Sequence, residues 1–257
     1  YHASNFNQPL NNWQVENVIS MRAIFNGAMS FDQNISEWSV GNVVDFQYSF
    51  SEAKSFNQDL SNWDVSSATI MSYMFYGATV FNQDLSSWET PNVSRFSGMF
   101  AFTEDFNSDL SNWDVSNATF FDNMFLSAKK FDQNIDGWDV RKGIRFDAMF
   151  KDAIAFDQNI SNWKLENAEN LSSFFEGISI SKNNYDNLLI GWSEESLKDG
   201  VPFHGGYSKY SCGIPSEARQ SLIDNHGWTI TDGGMDEDIV SFTTGISNIL
   251  CFGAATG

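Results

Sequence analysis

Large apolar residues recur along this chain at a fixed spacing of 25. The first Phe of each unit falls at Phe6, Phe31, Phe56, Phe81, Phe106, Phe131 and Phe156. Trp follows at Trp13, Trp38, Trp63, Trp88, Trp113, Trp138 and Trp163, and a second Phe at Phe25, Phe50, Phe75, Phe100, Phe125, Phe150 and Phe175. No insertion interrupts the series. A period held over seven units predicts that each unit occupies the same place in its own coil, so that identical side chains stack into ladders.

Within a unit, Leu60, Trp63 and Val65 follow an L-x-x-L-x-L spacing and alternate with polar Asp64 and Ser66, which predicts a short strand with one buried face. Asn or Ser follows at Asn17, Asn42, Ser67, Asn92, Asn117 and Asn167, with Lys142 the exception, a residue type suited to capping a helix start. Apolar residues then recur at helical spacing, as in Ala68, Met71, Met74, Phe75 and Ala78. The expected fold class is an α/β repeat solenoid of leucine-rich-repeat type, with one short parallel strand and one short helix per coil. At a strand spacing of about 4.8 Å, seven coils rise about 34 Å.

The tetrapeptide after the first Phe reads Asn-Gln-Asp-Leu in units three and four, but Asp-Gln-Asn-Ile in units two, six and seven. Acid and amide exchange places: Asn57 goes with Asp59, whereas Asp32 goes with Asn34, Asp132 with Asn134 and Asp157 with Asn159. Asn107 and Asp109 keep the first arrangement around Ser108, and Asn7 goes with Pro9. The favoured reading is structural, with these side chains bonding backbone in a tight turn.

Composition narrows the function classes. Of 257 residues, 24 are Phe and 9 are Trp, as expected where large rings recur at core positions. The net charge of −19 repels nucleic acid and anionic membrane surfaces and attracts cations and basic partners. No apolar run approaches the length of a bilayer span, so direct membrane insertion is not expected. Tyr1, His2 and Ala3 fall in the register of Asn26, Gly27 and Ala28, so the chain is expected to begin inside an earlier repeat. Beyond Ile178 the register breaks at Tyr185, Leu188, Leu189 and Trp192. The expected organisation is a seven-repeat solenoid over 1–178, a closing cap over 179–234, and a linker leading to a further module over 235–257. In the cap, Pro215–Asn225 reads as a helix and Trp228–Thr231 as a strand. Cys212 and Cys251 lie outside the repeats and could pair in an oxidising compartment.

The run F-N-Q-D-L-S-x-W-D-V-S-x-A-T-x-M-x-x-M-F-x-x-A at 56–78, with its six copies, resembles the BspA-like, lipoprotein-associated 25-residue repeat of bacterial surface proteins, over residues 3–178. That resemblance implies a leucine-rich-repeat-like solenoid on secreted or cell-surface proteins, often adhesins. The GWTITDGG stretch is similar to the close of such arrays in Bacteroidetes surface proteins. Ser247–Gly257 resembles the opening of a β-rich repeat of large gliding-motility adhesins, which implies further modules and export through an outer-membrane secretion machinery.

Candidate chemistry concentrates on the polar strand positions. The residue between Trp and Val is acidic in four consecutive coils, Asp64, Glu89, Asp114 and Asp139. At ~5 Å in water each neighbouring pair repels by about 0.8 kcal/mol before screening. Two readings stand: a solvated acidic face, or a ridge that binds a cation such as Ca²⁺ or a basic ligand, with Asn62 and Asn112 beside it. His2, His204 and His226 have no metal-ligand spacing, and neither they nor Tyr207 and Tyr210 make a catalytic signature, so neither enzyme activity nor a required cofactor is expected. The leading expectation is an extracellular, non-catalytic adhesin segment whose concave strand face contacts a protein or glycan. A rigid spacer is the alternative.

Overall fold

The computed structural model describes residues 3–236. Among them the regular elements lie beyond the repeats: α1 (Lys182–Ser193), β1 (Pro202–His204), α2 (Ile214–His226) and β2 (Thr229–Thr231). The strand and helix expected in each 25-residue unit are replaced by a chain of tight turns. In the third unit the amide of Trp63 bonds the carbonyl of Leu60, Ala68 that of Val65, Met74 that of Met71, and Ala78 that of Phe75. Both ends of each of these turns are buried apolar residues. An i, i+3 apolar spacing therefore arises here from turn corners, and it imitates the spacing of a helix face.

Neighbouring units supply the backbone partners that a helix would find within itself. The N–H groups of Met71, Tyr73, Phe75 and Gly77 donate to the carbonyls of Arg95, Ser97, Met99 and Ala101, at 2.8–3.0 Å. Every second amide thus points along the stack, and those between close turns. This alternation places two residues of each unit in the left-handed region, including bulky ones such as Tyr73 (φ 59°), Glu52 (φ 58°) and Phe102 (φ 60°). Such a backbone costs about 1 kcal/mol or more per non-glycine residue, and it persists because the inter-unit bonds hold it from both sides. Parallel bridging runs from Ser20 through Asp45, Ile70, Arg95, Phe120 and Arg145 to Asn170. The inter-unit ladder lies there and not along the Trp-x-Val segment.

Side chains reinforce the same stacking. Phe75 lies 5.5 Å from Phe50 and 5.8 Å from Phe100, ring over ring, and 4.0 Å from Phe81, which opens the next unit. Phe56, Phe81 and Phe106 form a second column at 6.0 and 6.2 Å. The indole N–H of Trp88 donates to the carbonyl of Leu60, and that of Trp113 to Leu85, each in the preceding unit. Burying rings of this size contributes about 1.5–3 kcal/mol apiece, with roughly 0.5–1.5 kcal/mol more per aromatic pair. The start of the stack is looser: Trp13 of the first unit is 52% exposed, and the buried Nε1 of Trp38 in the second has no partner among the described residues.

The Asx positions explain their own exchange of acid for amide. Asp32 Oδ1 accepts from the amide of Asn57 and from Nε2 of Gln58, and Asn57 Oδ1 accepts in the same way from Asn82 and Gln83. The third tetrapeptide position closes a turn onto the residue two ahead, with Asp59 accepting from Ser61 and Asn134 from Asp136. Both roles need one side-chain oxygen acceptor, which Asp and Asn supply equally. The Asn that was expected to cap a helix bridges units instead: Asn92 donates to Ser66 O and Asn117 to Pro91 O.

The closing segment continues the ladder with different sequence. Leu171 pairs with Phe203 of β1, the amide of Phe175 bonds His204 O, and β2 runs parallel to β1. Gly206 (φ +67°) crosses so close to the last unit that a Cβ would lie 2.2 Å from Ile178 O. Phe203 meets the edges of Trp192 and Trp228, and buried Tyr185, Leu188, Leu189 and Trp192 bring α1 over the end of the core. α2 begins with Pro215 in its first turn and ends at Gly227, left-handed at φ 64°, as helix-stop chemistry favours.

Candidate binding surface

The acidic ridge faces solvent, and three of its four carboxylates are engaged locally. Asp64 Oδ1 accepts from the amide and hydroxyl of Ser66, at 3.0 and 2.7 Å, and Asp114 accepts from the amide of Ser116. Asp139 accepts from Arg141, whose guanidinium grips both carboxylate oxygens. The Ser66 hydroxyl, then its amide, holds Asp64 below the usual carboxylate range, and the Arg141 side chain does the same for Asp139. Glu89, Asn62 and Asn112 are exposed in the same registers. Among the described residues no three His, Cys, Asp or Glu side chains come together to hold a metal ion. Asp64, Asp114 and Asp139 each close a turn onto the residue two ahead, whereas Glu89 has Pro91 at that place, which carries no N–H to donate.

Beside the ridge, Asn62 and Asp64 share a depression of about 570 Å³ with Glu16, Glu37 and Asn42. Three carboxylates around an open hollow make a negative recess suited to basic groups. The other candidates are dispersed. His204 Nδ1 accepts from the Gly206 amide, and His226 ends α2 with Asp199 3.6 Å away. Tyr207 is exposed, while Tyr210 carries the Arg219 guanidinium 5.2 Å over its ring. His2 and Cys251 lie outside the described residues, and with them any pairing of Cys251 to Cys212.

A second surface escaped sequence reasoning because it follows the ladder and not the expected strand. Tyr48 and Tyr73 stack at 5.0 Å, and Tyr73 meets the edge of Tyr76 at 6.0 Å. The Arg95 guanidinium lies 4.5 Å over the Phe120 ring, and Ser97 donates to Asp122 at 2.8 Å. Arg145 forms a two-pronged pair with Asp147, at 3.0 and 3.1 Å. Tyr73 leans on Gly98, where a Cβ would fall 2.4 Å from its ring. Burial, then the nearby Asp122 carboxylate, raises the Tyr73 phenol and keeps it a neutral donor. The one signal available beforehand was Tyr at both 48 and 73, where other units carry small residues.

Residues 1–108 and 84–188 match a single family, described as Mycoplasma protein of unknown function, DUF285. The chain belongs to this DUF285 family. The DUF285 match covers the repeated units and stops within α1, so β1, α2 and β2 lie beyond it. No curated protein and no solved structure matches the chain. Among the described residues no helix is long and apolar enough to cross a membrane.

Proposed function

We propose that this chain is a non-catalytic segment of an extracellular, cell-surface protein, a leucine-rich-repeat-like solenoid whose stacked units present side chains for binding a protein or glycan. The observation that carries this reading is the division within each unit. Buried positions repeat from coil to coil, whereas the outward positions change: Gln14, Ser39, Asp64, Glu89, Asp114, Asp139 and Lys164 occupy one register. A uniform core under a varied exterior is the economy of a display surface. Resemblance to BspA-like repeats of bacterial surface proteins supports an adhesive role, and the acidic recess at Asn62 and Asp64 supports basic groups on the partner for that face.

A rigid spacer is the second reading, favoured by the unbroken run of ring stacks through the units. Glycan and protein arrays probed with the chain separate the two. A binding module gives saturable signal that falls when Asn62, Asp64, Glu89 and Asp114 are changed together to Ser. A spacer gives no saturable signal on any array.

A further inference from the structure

The surface along the inter-unit ladder has a chemistry unlike the rest of the molecule. Against 33 Asp and Glu the chain carries 14 Lys and Arg, and salt bridges occupy most of these. Arg95 has no carboxylate partner among the described residues; its guanidinium rests on Phe120. In a chain of net charge −19, a cation with many acids to choose from is instead held by an aromatic face, its N–H edges exposed. Parallel bridging puts Ile70, Arg95, Phe120 and Arg145 on successive rungs about 5 Å apart, so the two arginines flank one ring. Together with Tyr73, Ser97 and Asp122 they line a depression of about 420 Å³.

We propose that this depression binds a carboxylate-bearing sugar unit. Arg95 presents a planar fork that matches a carboxylate. Tyr73, its ring packed between Tyr48 and Gly98, offers its phenol as a donor, and the Ser97–Asp122 pair offers a hydroxyl and a carboxylate for ring hydroxyls. A small pocket of a few convergent polar groups on aromatic walls suits a ligand of that size. An extended peptide fits less well, because the ladder amides and carbonyls are already spent between units, Met71 to Arg95 O and Phe96 to Phe120 O, and leave no edge for strand addition. This site is separate from the acidic recess at Asp64, so the two succeed or fail independently.

The test is a glycan array carrying neutral, uronate, sialic acid and sulfated glycans. It is followed by calorimetry with tri-galacturonate and with the best array ligand, on the whole chain and on its Arg95→Gln and Asp64→Asn variants. Both substitutions are at exposed positions, and tryptophan fluorescence checks that each variant is folded. The expected result is saturable binding to carboxylate-bearing glycans, weakened tenfold or more by Arg95→Gln, weakened by salt, and unchanged by Asp64→Asn. Absence of saturable binding to every carboxylated glycan overturns the proposal. So does binding confined to sulfated or neutral glycans, or binding that Arg95→Gln weakens by less than tenfold.

Discussion

The repeated units and the closing segment solve the same problem by opposite means. In the units, order comes from alignment with copies: Phe75 sits between Phe50 and Phe100, and every second amide finds its acceptor one unit along. In the closing segment, order comes from contacts made once. Tyr185 and Arg219 both donate to Asp232, at 2.8 and 2.7 Å, under α1 and α2. Repetition tolerates strained turns because each is held from two sides, whereas a unique segment needs helices with conventional stops. A lesion in the units should therefore be shared with neighbours, and one in the closing segment should uncover a single end.

The largest expected effect is in the column. Phe75→Ala removes four ring contacts from a fully buried site and should cost about 3–5 kcal/mol, read as a lowered denaturant midpoint. Asp232→Ala should cost about 3 kcal/mol by leaving Arg219 partly buried without its carboxylate, and hydrogen exchange should localise the loosening to α2 and β2. Gly98→Ala, with φ +59° and the Tyr73 ring in the way, should cost about 1–2 kcal/mol and change the near-ultraviolet tyrosine signal. Asn57→Leu, which deletes the acceptor for Asn82 and Gln83, should cost about 1 kcal/mol, while Asn57→Asp should be nearly neutral.

The smallest effect is on acid stability. The amides and hydroxyls of Ser61 and Ser86 hold Asp59 and Asp84 below the model-compound value of 3.8. A carboxylate lowered in the folded state contributes stability above its unfolded value and loses it as pH falls through the folded one. Thermal stability should therefore decline as pH drops below about 3.8, and the Asp59→Asn, Asp84→Asn double variant should decline less over the same window. Equal declines would show that these turn carboxylates do not matter.

The sequence makes the aromatic ladders legible because a side chain that must meet its own copy cannot drift in spacing. It also makes the Asx turns legible, since Asp and Asn interchange only where an oxygen acceptor is the whole requirement. It misleads about backbone: Ala68, Met71, Met74, Phe75 and Ala78 have a helix's spacing, yet the amides of Met71 and Phe75 are diverted to the next unit and those of Ala68, Met74 and Ala78 close turns onto the residue three back. The reverse happened at Tyr185, Leu188, Leu189 and Trp192, whose spacing is helical and which form the buried face of α1. The surface around Tyr73 and Arg95 stayed hidden because its members come from different units and meet only once the ladder is known.

Spin-label distances test the stacking most directly. Labels at exposed Glu37 and Asn112 span three units, and labels at Glu37 and exposed Asn162 span five. At about 5 Å per unit, the backbone separations should be near 15 and 25 Å, so the second distribution should be narrow and centred about 10 Å beyond the first. Distributions that coincide, or a second one spread broadly over many tens of ångströms, would contradict a single continuous stack.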